Sequence, residues 1–196
     1  MTDVFGNGSD KVSGLDNVLH PADVTILGVG NVILTDEGFG VRAAEYLDHH
    51  YTFPDNVQIV DGGTLGIELT QYVTGTNKLL VIDSINGGAE PGTVFRFHND
   101  AIMEHFQDKL SAHEVGIQDV LALLTVTGHK IPEVIVIGAQ PFDLEAGVGL
   151  SDGMQALLPQ IVEQILKDLR DWGIEAQRKE TAGDFDYSVV AEEAVK

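Results

Sequence analysis

The sequence predicts an α/β fold: three layers, α-β-α, built on a largely parallel, twisted five-stranded sheet with one antiparallel edge strand. Three observations predict it. Four short runs, at 24–29, 57–60, 79–83 and 134–138, are apolar almost throughout, as strands covered on both faces are. Segments with helical spacing stand between most of them, which is the β–α alternation of a doubly wound sheet. The fifth run, 93–98 (TVFRFH), instead alternates apolar and polar residues and follows Pro91-Gly92. Only residues 84–92 separate it from the preceding strand. A parallel crossover needs about a dozen residues or more, so this strand is expected to run antiparallel, at the sheet edge.

The elements follow in order. Residues 24–29 (VTILGV) form a buried strand that ends in a glycine turn. A helix over 38–50 places Phe39, Ala43 and Leu47 on one face. The strand at 57–60 leads into Asp61-Gly62-Gly63-Thr64, and Thr64 is expected to cap a helix reaching Val73, with Leu65, Leu69 and Tyr72 facing inward. The strand at 79–83 (LLVID) ends on Asp83. A helix over 114–127 carries Val115, Val120, Leu121 and Leu124, and the strand at 134–138 follows it. The final helix, 151–172, shows a core-facing stripe of Met154, Leu157, Leu158, Ile161, Ile165, Leu166 and Leu169. Pro159 lies inside it and is expected to kink or restart it.

A chain of 196 residues suits one folded domain, here 23–175. Residues 1–22 read as a flexible leader and 176–196 as a polar tail. The absence of cysteine excludes disulfides, a thiol nucleophile and any Cys-based metal site. The N-terminus lacks the pattern of a secretory signal, and no stretch approaches the roughly 20 apolar residues that span a bilayer. No membrane insertion is expected, and a cytoplasmic location is. The formal net charge of -20, from 31 acids against 11 Lys and Arg, argues against nucleic acid as a partner.

In an open parallel sheet, ligands bind beyond the carboxyl ends of the strands. That rim receives Gly28-Val29-Gly30, then Thr35-Asp36-Glu37-Gly38, then Asp61, Asp83 and the segment around His113. Gly28-x-Gly30 begins like a dinucleotide motif, but Ile33 stands where its third glycine should be, and Asp36 and Glu37 would repel a pyrophosphate. Glu37, Asp83 and His113 supply two hard oxygens and one imidazole nitrogen, a set that suits zinc, nickel, manganese or iron. Each has a plainer reading too. Asp36 and Glu37 can complement a helix N-terminus, Asp83 can bond a loop amide, and His113 can open its helix as a satisfied polar residue. His113-Glu114 is not an HExxH helix, because Ile117 replaces the second histidine.

Taken together, ILGVGNVILTDEGFGVR (26–42), IVDGGTLGIEL (59–69), LLVIDSINGGAEPGTV (79–94), SAHEVGIQDVLALL (111–124) and VIVIGAQPFDLEAGVGLS (134–151) resemble the hydrogenase maturation endopeptidases. The resemblance implies removal of a short C-terminal extension from the large-subunit precursor of a [NiFe]-hydrogenase, after nickel has been loaded. It implies that Glu37, Asp83 and His113 bind the metal and that Asp61 matters for processing. Two mechanisms fit. Either the three residues hold a zinc or other divalent ion that activates water, or they recognise the nickel of the substrate precursor, which positions the scissile bond. The second explains why cleavage would wait for nickel. Asp61 or Asp36 is then the candidate general base. The rival classes are a non-catalytic, nickel-dependent chaperone or scaffold for the same precursor and a general metallopeptidase acting on unrelated peptides.

Overall fold

The computed structural model describes residues 22–99, 101–102, 112–180, 182–183 and 185–186, and only the backbone of 112–116. Most of the expected leader and the end of the expected tail lie outside these residues.

The main sheet contains β1 (Val24–Val29), β3 (Val57–Gly63), β4 (Lys78–Ser84), β5 (Val94–His98) and β6 (Glu133–Ala139), in the order β3-β1-β4-β6-β5. The first four strands in that order pair in parallel, and β5 lies antiparallel at the edge of β6. The short link from β4 to β5 leaves no room for a crossover, as the sequence requires.

Helices cover both faces. Two of them, α1 (Phe39–His50) and α4 (Asp152–Asp171), pack on one face, where Phe39, Ala43, Leu47, Leu158, Ile161 and Ile165 meet Ile26, Leu80 and Ile82. On the other face lie α2 (Thr70–Val73) and α3 (Ala112–Val126), whose Val73, Ile117, Val120 and Leu124 meet Leu27, Leu79 and Val81. Alternation along the central strands feeds both cores at once, which is why these runs are mostly apolar.

Two expectations need correction. The helix expected from Thr64 does not start there. Residues 67–69 form a 3-10 turn after Gly66, and α2 has one turn only. Leu65 and Tyr72 are each 40% exposed, and only Leu69 and Val73 enter the core. The glycines at 62, 63 and 66 keep the backbone extended or turned until Ile67, so the apolar spacing there never becomes helical. Of the kink or restart expected at Pro159, the restart does not occur: the final helix is one element from Asp152 to Asp171. Pro159 sits on the exposed side while Leu158, Ile161 and Val162 are buried, and their packing outweighs one lost backbone bond. A second, two-stranded pairing involves residues of the polar tail. A short strand β7 (Gln177–Arg178) pairs antiparallel with β2 (Tyr51–Thr52), and Phe185 packs edge-on against Tyr46 at 5.7 Å between ring centroids. Burial pushes the Tyr51 phenol above its usual range, with the Arg178 charge opposing that shift.

Candidate active site

Strand order reverses at β1, because β1 is followed in sequence by β3 on one side and then by β4 on the other. The crevice of a doubly wound sheet opens at such a point, outside the carboxyl ends of the strands. Two candidate residues stand there. Glu37 belongs to a 3-10 turn, Thr35–Gly38, that packs against β4, and Asp83 is the penultimate residue of β4.

Glycines bring these elements into contact. A Cβ on Gly40, in the first turn of α1, would lie 2.0 Å from the Ile82 carbonyl oxygen and 2.2 Å from that of Val29. The helix start therefore rests directly on the ends of β1 and β4. Gly30, at φ +145, lies under the Glu37 carbonyl, which a Cβ would approach to 2.1 Å. The Asn31 amide donates to that carbonyl at 3.1 Å. In the GxG that begins like a dinucleotide motif, Gly30 is thus a seat for the Glu37 backbone, while Gly28 lets α1 approach at Gly40 and Ala44.

Asp83 is 2% exposed, and its Oδ1 accepts the Ser84 amide at 2.8 Å. Leu79 and Val81 enter the core beneath α3, and Asp83 follows them by alternation. The backbone at position 113 belongs to the first turn of α3, four residues before Ile117, which is buried in that same core. The His113 side chain lies outside the described residues. Among the described residues, no three His, Asp or Glu side chains form a metal cluster.

Asp61 ends the regular pairing of β3. It stands level with Gly28, which in turn stands level with Ile82. Two strand spacings of about 4.8 Å put its backbone on the order of 10 Å from that of Asp83. Asp61 is exposed, and its Oδ1 accepts the Gly63 amide at 2.9 Å.

Asp36 is different. It is fully buried, and its carboxylate accepts the amides of Phe142 and Asp143 on Oδ2 and the amide of Ser151 on Oδ1, at 2.9, 3.0 and 2.8 Å. The Ser151 hydroxyl donates to Oδ2 at 2.8 Å. These partners lie more than a hundred residues along the chain, and no local pattern pointed to them.

A sequence model of the hydrogenase maturation proteases matches residues 41–168. The chain belongs to that family. The hydrogenase 2 maturation protease of Escherichia coli is 37% identical over 162 residues, covering 82% of this chain and 99% of that one. The structure of the hydrogenase maturating endopeptidase HybD from E. coli superposes with a TM-score of 0.76 at 36% identity, covering 80% of this chain and 97% of that chain. The [NiFe] hydrogenase maturation protease HybD from Thermococcus kodakarensis gives 0.62 at 28% identity, covering 74% of this chain and 97% of that chain. This protease is therefore a hydrolase of peptide bonds that acts in hydrogenase maturation. Its Asp61, Asp83 and position 113 fall inside the matched segment, and Asp36 and Glu37 immediately precede it. Among the described residues, no helix is long and apolar enough to cross a membrane.

Proposed function

We propose that this protease removes a C-terminal extension from a [NiFe]-hydrogenase large-subunit precursor once nickel is in place, with Glu37, Asp83 and His113 reading the metal. The reading is supported by the packing of the turn that carries Glu37 against β4, which ends in Asp83-Ser84, at the strand-order reversal, with α3 opening at position 113 over the same sheet face as Asp83. Two carboxylates and an imidazole suit nickel as they suit zinc. In this reading the nickel belongs to the substrate, and the three side chains hold the precursor by it. The peptide bond is thereby fixed at one distance from the crevice, which supplies proximity and orientation.

Asp61 is the general base. Its exposure at the end of β3 gives it access to a water, and the Gly63 amide fixes one carboxylate oxygen. An apolar rim supports a peptide substrate. Ile33, Leu144 and Val148 are 60%, 44% and 55% exposed on two loops joined by the Leu34–Gly147 bridge. Such a rim can hold the extended chain leading away from the metal. With no cysteine in need of oxidation, the chain suits the reducing cytoplasm.

The test is incubation of nickel-loaded and nickel-free precursor with metal-stripped protease, read by mass spectrometry. Shortening of the loaded precursor alone is expected. No shortening would mark a chaperone or scaffold, and turnover restored only by zinc on the protease would transfer the metal role to a resident ion.

A further inference from the structure

We propose that Asp36 is a positioning residue, a buried latch that sets Glu37 against the crevice, and that it does not itself touch the reacting atoms. The inference rests on the proposed function only for its kinetic consequence.

The geometry is that of a knot. Four donors converge on one carboxylate: three backbone amides and the Ser151 hydroxyl. Each of these bonds is received by the carboxylate, and every donor lies more than a hundred residues along the chain. None of its surface is accessible, so a substrate water cannot reach it while the knot is tied. The Asp36 amide returns a bond to the Asp143 carbonyl at 3.1 Å. Ser151 also caps α4, its Oγ accepting the Met154 amide at 3.2 Å.

One side chain thus ties three segments together: the turn carrying Glu37, the 141–148 loop and the start of α4. Neighbouring bonds reinforce it. The Thr35 amide donates to the Gly147 carbonyl at 3.1 Å and its hydroxyl to the Glu145 carbonyl at 2.7 Å. Thr35 adopts φ +44, a left-handed conformation that is strained in a residue with a Cβ. A strained residue next to the functional acid persists only when its surroundings hold it there, and the Asp36 knot is what holds. The plainer role, a charge complementing a helix start, does not account for bonds that all leave the local turn.

Asp36→Asn keeps the shape but turns one acceptor into a donor facing N–H groups. Hydrogen exchange and cleavage kinetics on this variant test the proposal separately. Amides of Asn31, Glu37, Phe142, Asp143 and Ser151 should exchange at least tenfold faster than in the parent, while the β4 and β6 ladder is unchanged. On nickel-loaded precursor, kcat should fall tenfold or more with an unchanged pH profile, and Asp36→Asn should add no further loss to Glu37→Gln. Ser151→Ala, which removes one donor of the four, should show the same pattern at a few-fold scale and serves if Asp36→Asn does not fold. Unchanged exchange in the folded variants overturns the latch. Loss of the acidic limb of the pH profile, or losses that multiply with Glu37→Gln, would make Asp36 catalytic and also overturn it. A parent protein that cuts no precursor sinks the proposed function instead, and the exchange result still decides the latch.

Discussion

Gly138 stands level with Asp83 on the neighbouring parallel strand, and a Cβ on Gly138 would come within 2.1 Å of the Asp83 carbonyl oxygen. The strand beside the candidate metal ligand can therefore approach only because it carries no side chain at this point.

Gly138→Ala should displace Asp83 or part the two strands. Such overpacking costs about 1–3 kcal/mol. A lower unfolding midpoint in urea is expected, together with reduced precursor cleavage. An unchanged midpoint would show that the strands move aside freely.

Asp83→Asn separates charge from shape. The Ser84 amide can still bond the Asn carbonyl oxygen, so the fold should survive. Processing of the nickel-loaded precursor should stop. Circular dichroism and precursor mass together check this, and a folded variant that still processes would remove Asp83 from the site.

Asp61→Asn removes the proposed base from an exposed turn. The amide bond from Gly63 can persist, so stability should hold within about 0.5 kcal/mol. The rate of cleavage should fall by about 10²–10⁴, and the dependence of the residual rate on carboxylate ionisation should disappear. A parent-like pH profile would place the base elsewhere.

Val148→Ser tests the apolar rim. Val148 is 55% exposed, so the fold should tolerate the change. KM for the precursor should rise several-fold at constant kcat, the signature of lost uniform binding. An unchanged KM would show that the substrate chain leaves by another route.

Arg96→Gln probes stability away from the crevice. Arg96 donates to both oxygens of the buried Asp168, at 3.0 and 3.1 Å, tying the edge strand β5 to α4. Arg96 itself is 39% exposed, so water can reach part of the exposed end of the pair. A loss of about 1–3 kcal/mol is expected, with kcat for the precursor unchanged. A fall in kcat would tie the edge strand to the chemistry.

The sequence by itself determined the layers, the five strands and the reversed edge strand. Those follow from local facts: largely apolar runs, helical spacing, and a β4–β5 link too short for a crossover. It also pointed to Asp61 and Asp83 at strand ends, because each directly follows or closes an apolar run, and to Glu37 in the loop that joins the first strand to its helix. The one-turn helix at Thr70–Val73 was not legible, since Leu65, Leu69 and Tyr72 have helical spacing yet the glycines before Ile67 prevent a helix. The pairing of β7 with β2 was hidden too, because two-residue strands carry no periodicity. Only the tertiary structure separated Asp36 from Glu37. The two are adjacent acids with identical local prospects. Asp36 meets the amides of Phe142, Asp143 and Ser151 through the packing of the whole domain, and hydrogen bonds of that range leave no trace in local spacing.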